Sequence, residues 1–150
     1  MTQISKPLIR FYVLPADSGL ENRLDLTCKL AEKAQEEDLK TLVLCADDNM
    51  AAQLDERLWS YRAESFLTHC RTNDPLAEEA SVLLAIVPER AVSVDVLINL
   101  SLENTPDIPR GCKRIMEIVS PQVDVLQSTR SRFAAYRECG FEPQTHKIAK

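Results

Sequence analysis

Residues 41–49 read Thr41-Leu42-Val43-Leu44-Cys45-Ala46-Asp47-Asp48-Asn49. A strand covered on one face alternates apolar and polar side chains. A strand covered on both faces reads as a continuous apolar run, as Thr41 to Ala46 does. Asp47-Asp48-Asn49 then supplies side-chain oxygens of the kind that cap a helix N-terminus. Ala51, Leu54 and Leu58 recur at helical spacing and predict a helix to about Trp59. A doubly covered strand running straight into a capped helix is the repeating unit of a parallel sheet sandwiched between helices.

The same grammar extends outward. Leu8 to Leu14 is an apolar strand ended by Pro15, and a helix from about Ser18 to Asp38 carries Leu20, Leu24, Cys28, Ala31 and Ala34 on one stripe. Further apolar strands are expected over Val82–Val87, Val94–Leu102 and Lys113–Val119. A helix then runs from Pro121, suited to a first turn, to about Cys139, with Gly140 as its C-cap. Phe141 to Lys147 forms a last short strand or a tail packed on the sheet. The predicted fold is a three-layer, Rossmann-like α/β domain spanning residues 1–150, with a mainly parallel sheet of doubly wound type.

A doubly wound sheet raises the prospect of nucleotide binding, and the sequence argues against it. There are three glycines, Gly19, Gly111 and Gly140, and neither a GxGxxG nor a GxxxxGK[ST] loop. The first βα turn, Leu14-Pro15-Ala16-Asp17-Ser18-Gly19, cannot wrap a pyrophosphate, and Asp17 would repel one. Asp47-Asp48 stands where a Rossmann protein keeps its ribose-binding acid, but without the glycine loop it reads as a cap. The competing reading is an enzyme or nucleotide-binding protein of the same fold with a degenerate phosphate loop.

No catalytic or metal-binding constellation emerges, so neither cofactor nor metal is expected. His69 and His146 are far apart, and Cys28, Cys45, Cys70, Cys112 and Cys139 form no CxxC pair. The N-terminus lacks the apolar run and cleavage site of a secretory signal, and no stretch approaches the about 18 apolar residues of a membrane span. The expected setting is the cytoplasm, with free thiols. Net charge is −5, which disfavours strong direct binding to nucleic acid, a process that needs a positive field. It leaves room for a local basic patch.

Two stretches suggest contact surfaces. In the C-terminal helix, Arg130, Phe133 and Arg137 lie at i, i+3 and i+7 and share a face, with Ala134 between them. Two guanidinium groups flanking a ring suit an acidic peptide with an apolar anchor, because Arg grips a carboxylate through two parallel hydrogen bonds. The plainer alternative makes Phe133 and Tyr136 core residues and the arginines solvated. The second stretch is Leu54 to Cys70, LDERLWSYRAESFLTHC, which holds the one Trp of a chain with 5% aromatics. Trp59 lies about 100° around the helix from Leu58, at the margin of the buried stripe. With Phe66 it forms a pair of expected half-buried anchors for a protein partner. Glu64, Glu78 and Glu79 read as solvated or capping carboxylates.

Phe11-Tyr12, the segment LDERLWSYRAESFLTH, the strand VLINLS and the ending RSRFAAYRECGF together resemble the chi subunit family of bacterial DNA polymerase III. The resemblance covers nearly the whole chain. It implies a non-catalytic DNA-replication adaptor that uses no nucleotide and has two binding surfaces. One surface takes the psi subunit of the clamp loader, and its pattern falls on Trp59 and Phe66; a repair helicase is another possible occupant. The other takes the acidic C-terminal tail of the single-stranded-DNA-binding protein (SSB), which ends in a Pro-Phe carboxylate. That pattern falls on Arg130, Phe133, Arg137 and Gly140. The family often has Tyr at the place of Phe133 and Lys at the place of Ala134, so this chain keeps the apolar platform and lacks one cation. Arg132 and Lys147 are the candidates to replace it.

Overall fold

The computed structural model describes residues 7–61, 68–72, 74–75, 77–87, 93–102, 108–109 and 111–149. The elements are β1 (Leu8–Val13), α1 (Leu20–Glu36), β2 (Thr41–Leu44), α2 (Asp48–Ser60), β3 (His69–Arg71), β4 (Val82–Ala85), β5 (Val96–Asn99), β6 (Arg114–Val119), α3 (Val123–Glu138) and β7 (Gln144–Lys147). Among the described residues seven strands form one sheet in the order β3-β4-β2-β5-β6-β1-β7, and every pairing is parallel.

Alternation along doubly covered strands builds the layers. Val43 and Cys45 face a core shared with Leu24, Cys28 and Ala31 of α1 and Ala51, Leu54 and Leu58 of α2. Leu42 and Leu44 face the opposite core, which Tyr136 and Phe133 of α3 close. Val82 and Leu84 against Leu83 and Ala85 repeat the split in β4. So α1 and α2 cover one face and α3 the other, which is the three-layer arrangement expected from the run at 41–46. Asp47 caps α2 as expected, its carboxylate accepting from the Met50 N–H at 2.8 Å.

Several boundaries differ. The strand expected over Val82–Val87 stops at Ala85, and Ile86 and Val87 are exposed. The strand expected over Val94–Leu102 narrows to Val96–Asn99. Helix α3 begins at Val123 with Gln122 as its N-cap, so Pro121 precedes the helix and is not in its first turn. Leu20, assigned to the buried stripe of α1, is partly exposed. Strand β3 was not foreseen. Its His69-Cys70-Arg71 has no alternating pattern, and only pairing with β4 makes it a strand.

One polar cluster lies inside the sheet–α3 layer. Glu117 of β6 is fully buried, as is Arg132 of α3. The Arg132 Nε–H donates to both Glu117 oxygens at 2.9 Å. Tyr136 Oη–H donates to Glu117 at 3.0 Å and Asn99 Nδ2–H at 3.1 Å. Burial pushes the Glu117 carboxyl pKa upward, while Arg132 and these hydrogen bonds pull it back. Removing one partner leaves a buried charge without compensation. Arg132→Ala is therefore expected to cost about 3–5 kcal/mol, measured by urea unfolding. A loss under about 1 kcal/mol would mean that the pair does not hold α3 to the sheet.

Candidate functional site

Helix α3 separates its faces by the helical period. Val125, Ser128, Thr129, Arg132 and Tyr136 are buried. Arg130, Ala134 and Arg137 are exposed. Phe133 sits at the border, half-buried, with its ring edge-on to Phe11 at 5.0 Å. It thus combines the two readings the sequence allowed, one side packed on the sheet and one side open. Tyr136 is core, as the plainer reading had it. Among the described residues neither Arg130 nor Arg137 has an ion pair.

Gly140 ends the helix in the left-handed region, at φ 90°. Its N–H donates to the Arg137 carbonyl at 3.0 Å, and the Phe141 N–H to the Tyr136 carbonyl at 3.0 Å. This is the Schellman pattern, in which a glycine takes the φ that a Cβ resists. Phe141 turns back to meet Tyr136 ring to ring at 6.2 Å. The turn opens a hollow of about 300 Å³ bordered by Leu8, Ile9, Gly140, Phe141 and Glu142. Gly140 links the two parts, since it stops the helix that carries Arg137 and lines the apolar hollow. Among the described residues that line it, Glu142 is the one acid.

Of the two residues weighed as replacements for the missing cation, Arg132 is excluded. It is 1% exposed and committed to Glu117. Lys147 is exposed on β7, and its register with Val13 puts it on the α3 side of the sheet.

The second surface lies across the molecule. Trp59 is 72% exposed, more open than the half-buried ring expected from its place on the helix. Its ring meets His69 of β3 edge-on at 4.9 Å. His69 Nε2 lies 3.1 Å from Asp55, one turn earlier on α2. The His69 ring, held by α2 through Asp55, thus meets the Trp59 ring edge-on and leaves most of it open. Phe66, like Glu64, lies outside the described residues. Glu78 and Glu79 are exposed.

At the carboxyl ends of β5 and β6, where nucleotide-binding relatives of this architecture hold phosphates, described side chains bond to the protein itself. Arg23 of α1 is 2% exposed and donates to the Ile118 carbonyl at 3.3 Å. Burial, then the like charge of Arg132, lowers its pKa to about 10. Ser101 is buried and donates to Asn99 at 2.7 Å. Gln122 donates to the Ser18 carbonyl at 2.8 Å. At the start of α1 the Gly19 N–H is taken by the Asn22 carboxamide at 2.9 Å. Among the described residues no group of His, Cys, Asp and Glu is placed to hold a metal ion, and no helix is long and apolar enough to cross a membrane.

This is a Rossmann-like α/β protein in which, among the described residues, side chains occupy the carboxyl ends of the central strands. Its backbone is similar to a chain of S. cerevisiae Dbp5 bound to Gle1, with a TM-score of 0.66 at 11% identity, covering 98% of this chain and 43% of that one. That likeness is of fold alone. The family described as DNA polymerase III chi subunit, HolC, matches residues 7–144. The DNA polymerase III subunit chi of Pseudomonas aeruginosa is 34% identical over 142 residues, covering 95% of this chain and 97% of that protein. The chi subunit of Escherichia coli is 31% identical over 139 residues, 90% and 94% of the two chains. That of Haemophilus influenzae is 26% identical over 141 residues, 93% and 96%.

The chain belongs to the DNA polymerase III chi subunit family. Chi is an accessory subunit of that DNA-replicating polymerase and is not itself an enzyme.

The thiols follow from the same layers. Burial pushes Cys28 and Cys45 up to about 12 and Cys112 up to about 11, so none is a thiolate at neutral pH. Cys139, at the end of α3, is exposed. A thiol-reactive dye is expected to label Cys139 in the native protein and these three only after unfolding, as read by mass spectrometry of labelled peptides. Rapid native labelling of Cys28 or Cys45 would contradict the packing described.

Proposed function

We propose that the chain is a non-catalytic replisome adaptor, one α/β domain over residues 1–150, acting in the cytoplasm. It ties the clamp loader, through the psi subunit, to the acidic C-terminal tail of SSB. The observation that carries this reading is the end of α3. Unpaired Arg130 and Arg137 flank a half-open Phe133, beside an apolar hollow, on a chain of net charge −5. In this reading the arginines take tail carboxylates through charge-assisted hydrogen bonds. The hollow beside Gly140 takes the terminal ring, and Phe133 supplies the apolar platform. Lys147 is the remaining candidate for the cation lacking at Ala134.

The partner surface for psi centres on Trp59 and, in sequence terms, Phe66. An exposed Trp steadied by a neighbouring ring is the kind of residue that concentrates binding energy. A repair helicase could use the same surface in place of psi.

Arg137→Glu puts a like charge against the tail. Its affinity for a synthetic Pro-Phe-terminated acidic peptide is expected to fall by about 1.5–3 kcal/mol. The remaining binding should weaken further as salt is raised. Isothermal calorimetry decides it, and unchanged affinity would sink the assignment. The pair Trp59→Ala with Phe66→Ala is expected to abolish co-elution with psi while leaving the peptide affinity intact. Loss of both activities together would mean that the pair serves the core.

A further inference from the structure

We infer that the groove between α1 and the β1–β7 edge is a third docking site, made for an acidic peptide segment that carries apolar side chains. The groove holds about 470 Å³, within the range of formed binding sites, roughly 300–1,000 Å³. It lies on the α1 side of the sheet, opposite the layer occupied by α3. Its cations stand apart from the arginine stripe proposed above for the SSB tail, while at the sheet edge it borders the hollow beside Gly140, with Leu8, Ile9 and Gln144 lining both.

Its charge is unlike that of the molecule. Lys29 and Lys33 of α1, Arg10 of β1 and Arg114 of β6 line it, against one carboxylate, Glu37. Arg114 clamps that carboxylate with two hydrogen bonds, at 3.0 and 3.2 Å, and holds the Glu37 pKa below the usual range. Glu37 is thus neutralised. Among the described residues Arg10, Lys29 and Lys33 have no ion pair. Lys29 and Lys33 stand at i and i+4, where like charges weaken a helix. An anionic partner would relieve that repulsion.

The floor is apolar. Leu30 and Tyr12 are nearly closed off beneath it, with Ile148 half-buried at one side. Cations around an apolar floor select a ligand with both carboxylates and hydrophobic side chains. A nucleic-acid backbone would instead want cations along a track. Strand β7 ends the sheet beside the groove, and its four residues are all exposed, so its outer backbone edge is open to an extended segment.

The test uses the full-length protein, labelled with nitrogen-15, and a C-terminally amidated peptide of alternating Asp and Leu. Without a terminal carboxylate, this probe lacks the group on which the SSB-tail reading rests, so the two readings succeed or fail separately. Backbone amide shifts are expected to move in α1 from Leu26 to Glu37, in β1 around Arg10–Tyr12 and in β7. Lys29→Glu with Lys33→Glu, both exposed positions, should weaken binding by about tenfold or more, the scale of losing a charge-assisted contact. Arg137→Glu should bind the probe as the wild type does. Shifts centred on Arg137–Phe141, unchanged affinity in the lysine variant, or no binding at low salt would each overturn the proposal. Tighter binding of an oligothymidylate of equal charge at the same amides would overturn it too, assigning the groove to nucleic acid.

Discussion

A carboxylate inside a sheet must be answered there, and Glu117 is answered mainly from α3. Arg132 and Tyr136 reach it from one face of the helix and Asn99 from the neighbouring strand. Pairs of this kind contribute little net stability, because desolvation offsets most of the attraction. Their effect is geometric. A buried charge has one satisfactory partner arrangement, so the rotation of α3 about its axis is set. That rotation turns Arg130 and Arg137 outward and leaves Phe133 at the border.

Among the described residues, side chains also tie up the carboxyl ends of β5 and β6, where nucleotide-binding proteins of this architecture hold phosphates. There Arg23 donates to the Ile118 carbonyl, Ser101 to Asn99 and Gln122 to the Ser18 carbonyl. Space that a phosphate loop would leave open is taken up by side chains that tie α1, β5, β6 and α3 together. The surfaces proposed for binding lie at the periphery instead: around Trp59, at the end of α3, and in the groove beside α1. Net charge and local basic patches act at different ranges, so an acidic chain can still carry a basic groove.

How much was legible depended on whether the signal was local. The strands at 41–44 and 82–85, the Asp47 cap and the Gly140 turn were readable, because a period or a special φ is written within a few neighbouring residues. The Arg130–Phe133–Arg137 stripe was readable for the same reason. Strand β3 was not, because His69-Cys70-Arg71 becomes a strand through hydrogen bonds to β4. The role of Arg132 was misread, since its partner lies on another element. One clue existed: Glu117 interrupts an apolar strand expected to be covered on both faces, and such a charge requires a buried partner.

The sequence by itself determined the layers, the parallel sheet and the absence of a phosphate loop, and its motifs carried the family. Those properties follow from side-chain periodicity and residue type, which act over a turn or a strand. Only the tertiary structure decided which arginines are structural and which are free, how open Trp59 is, and that lysines of α1 meet an arginine of β1 around an apolar floor. These depend on burial, and burial is a property of elements brought together from distant parts of the chain.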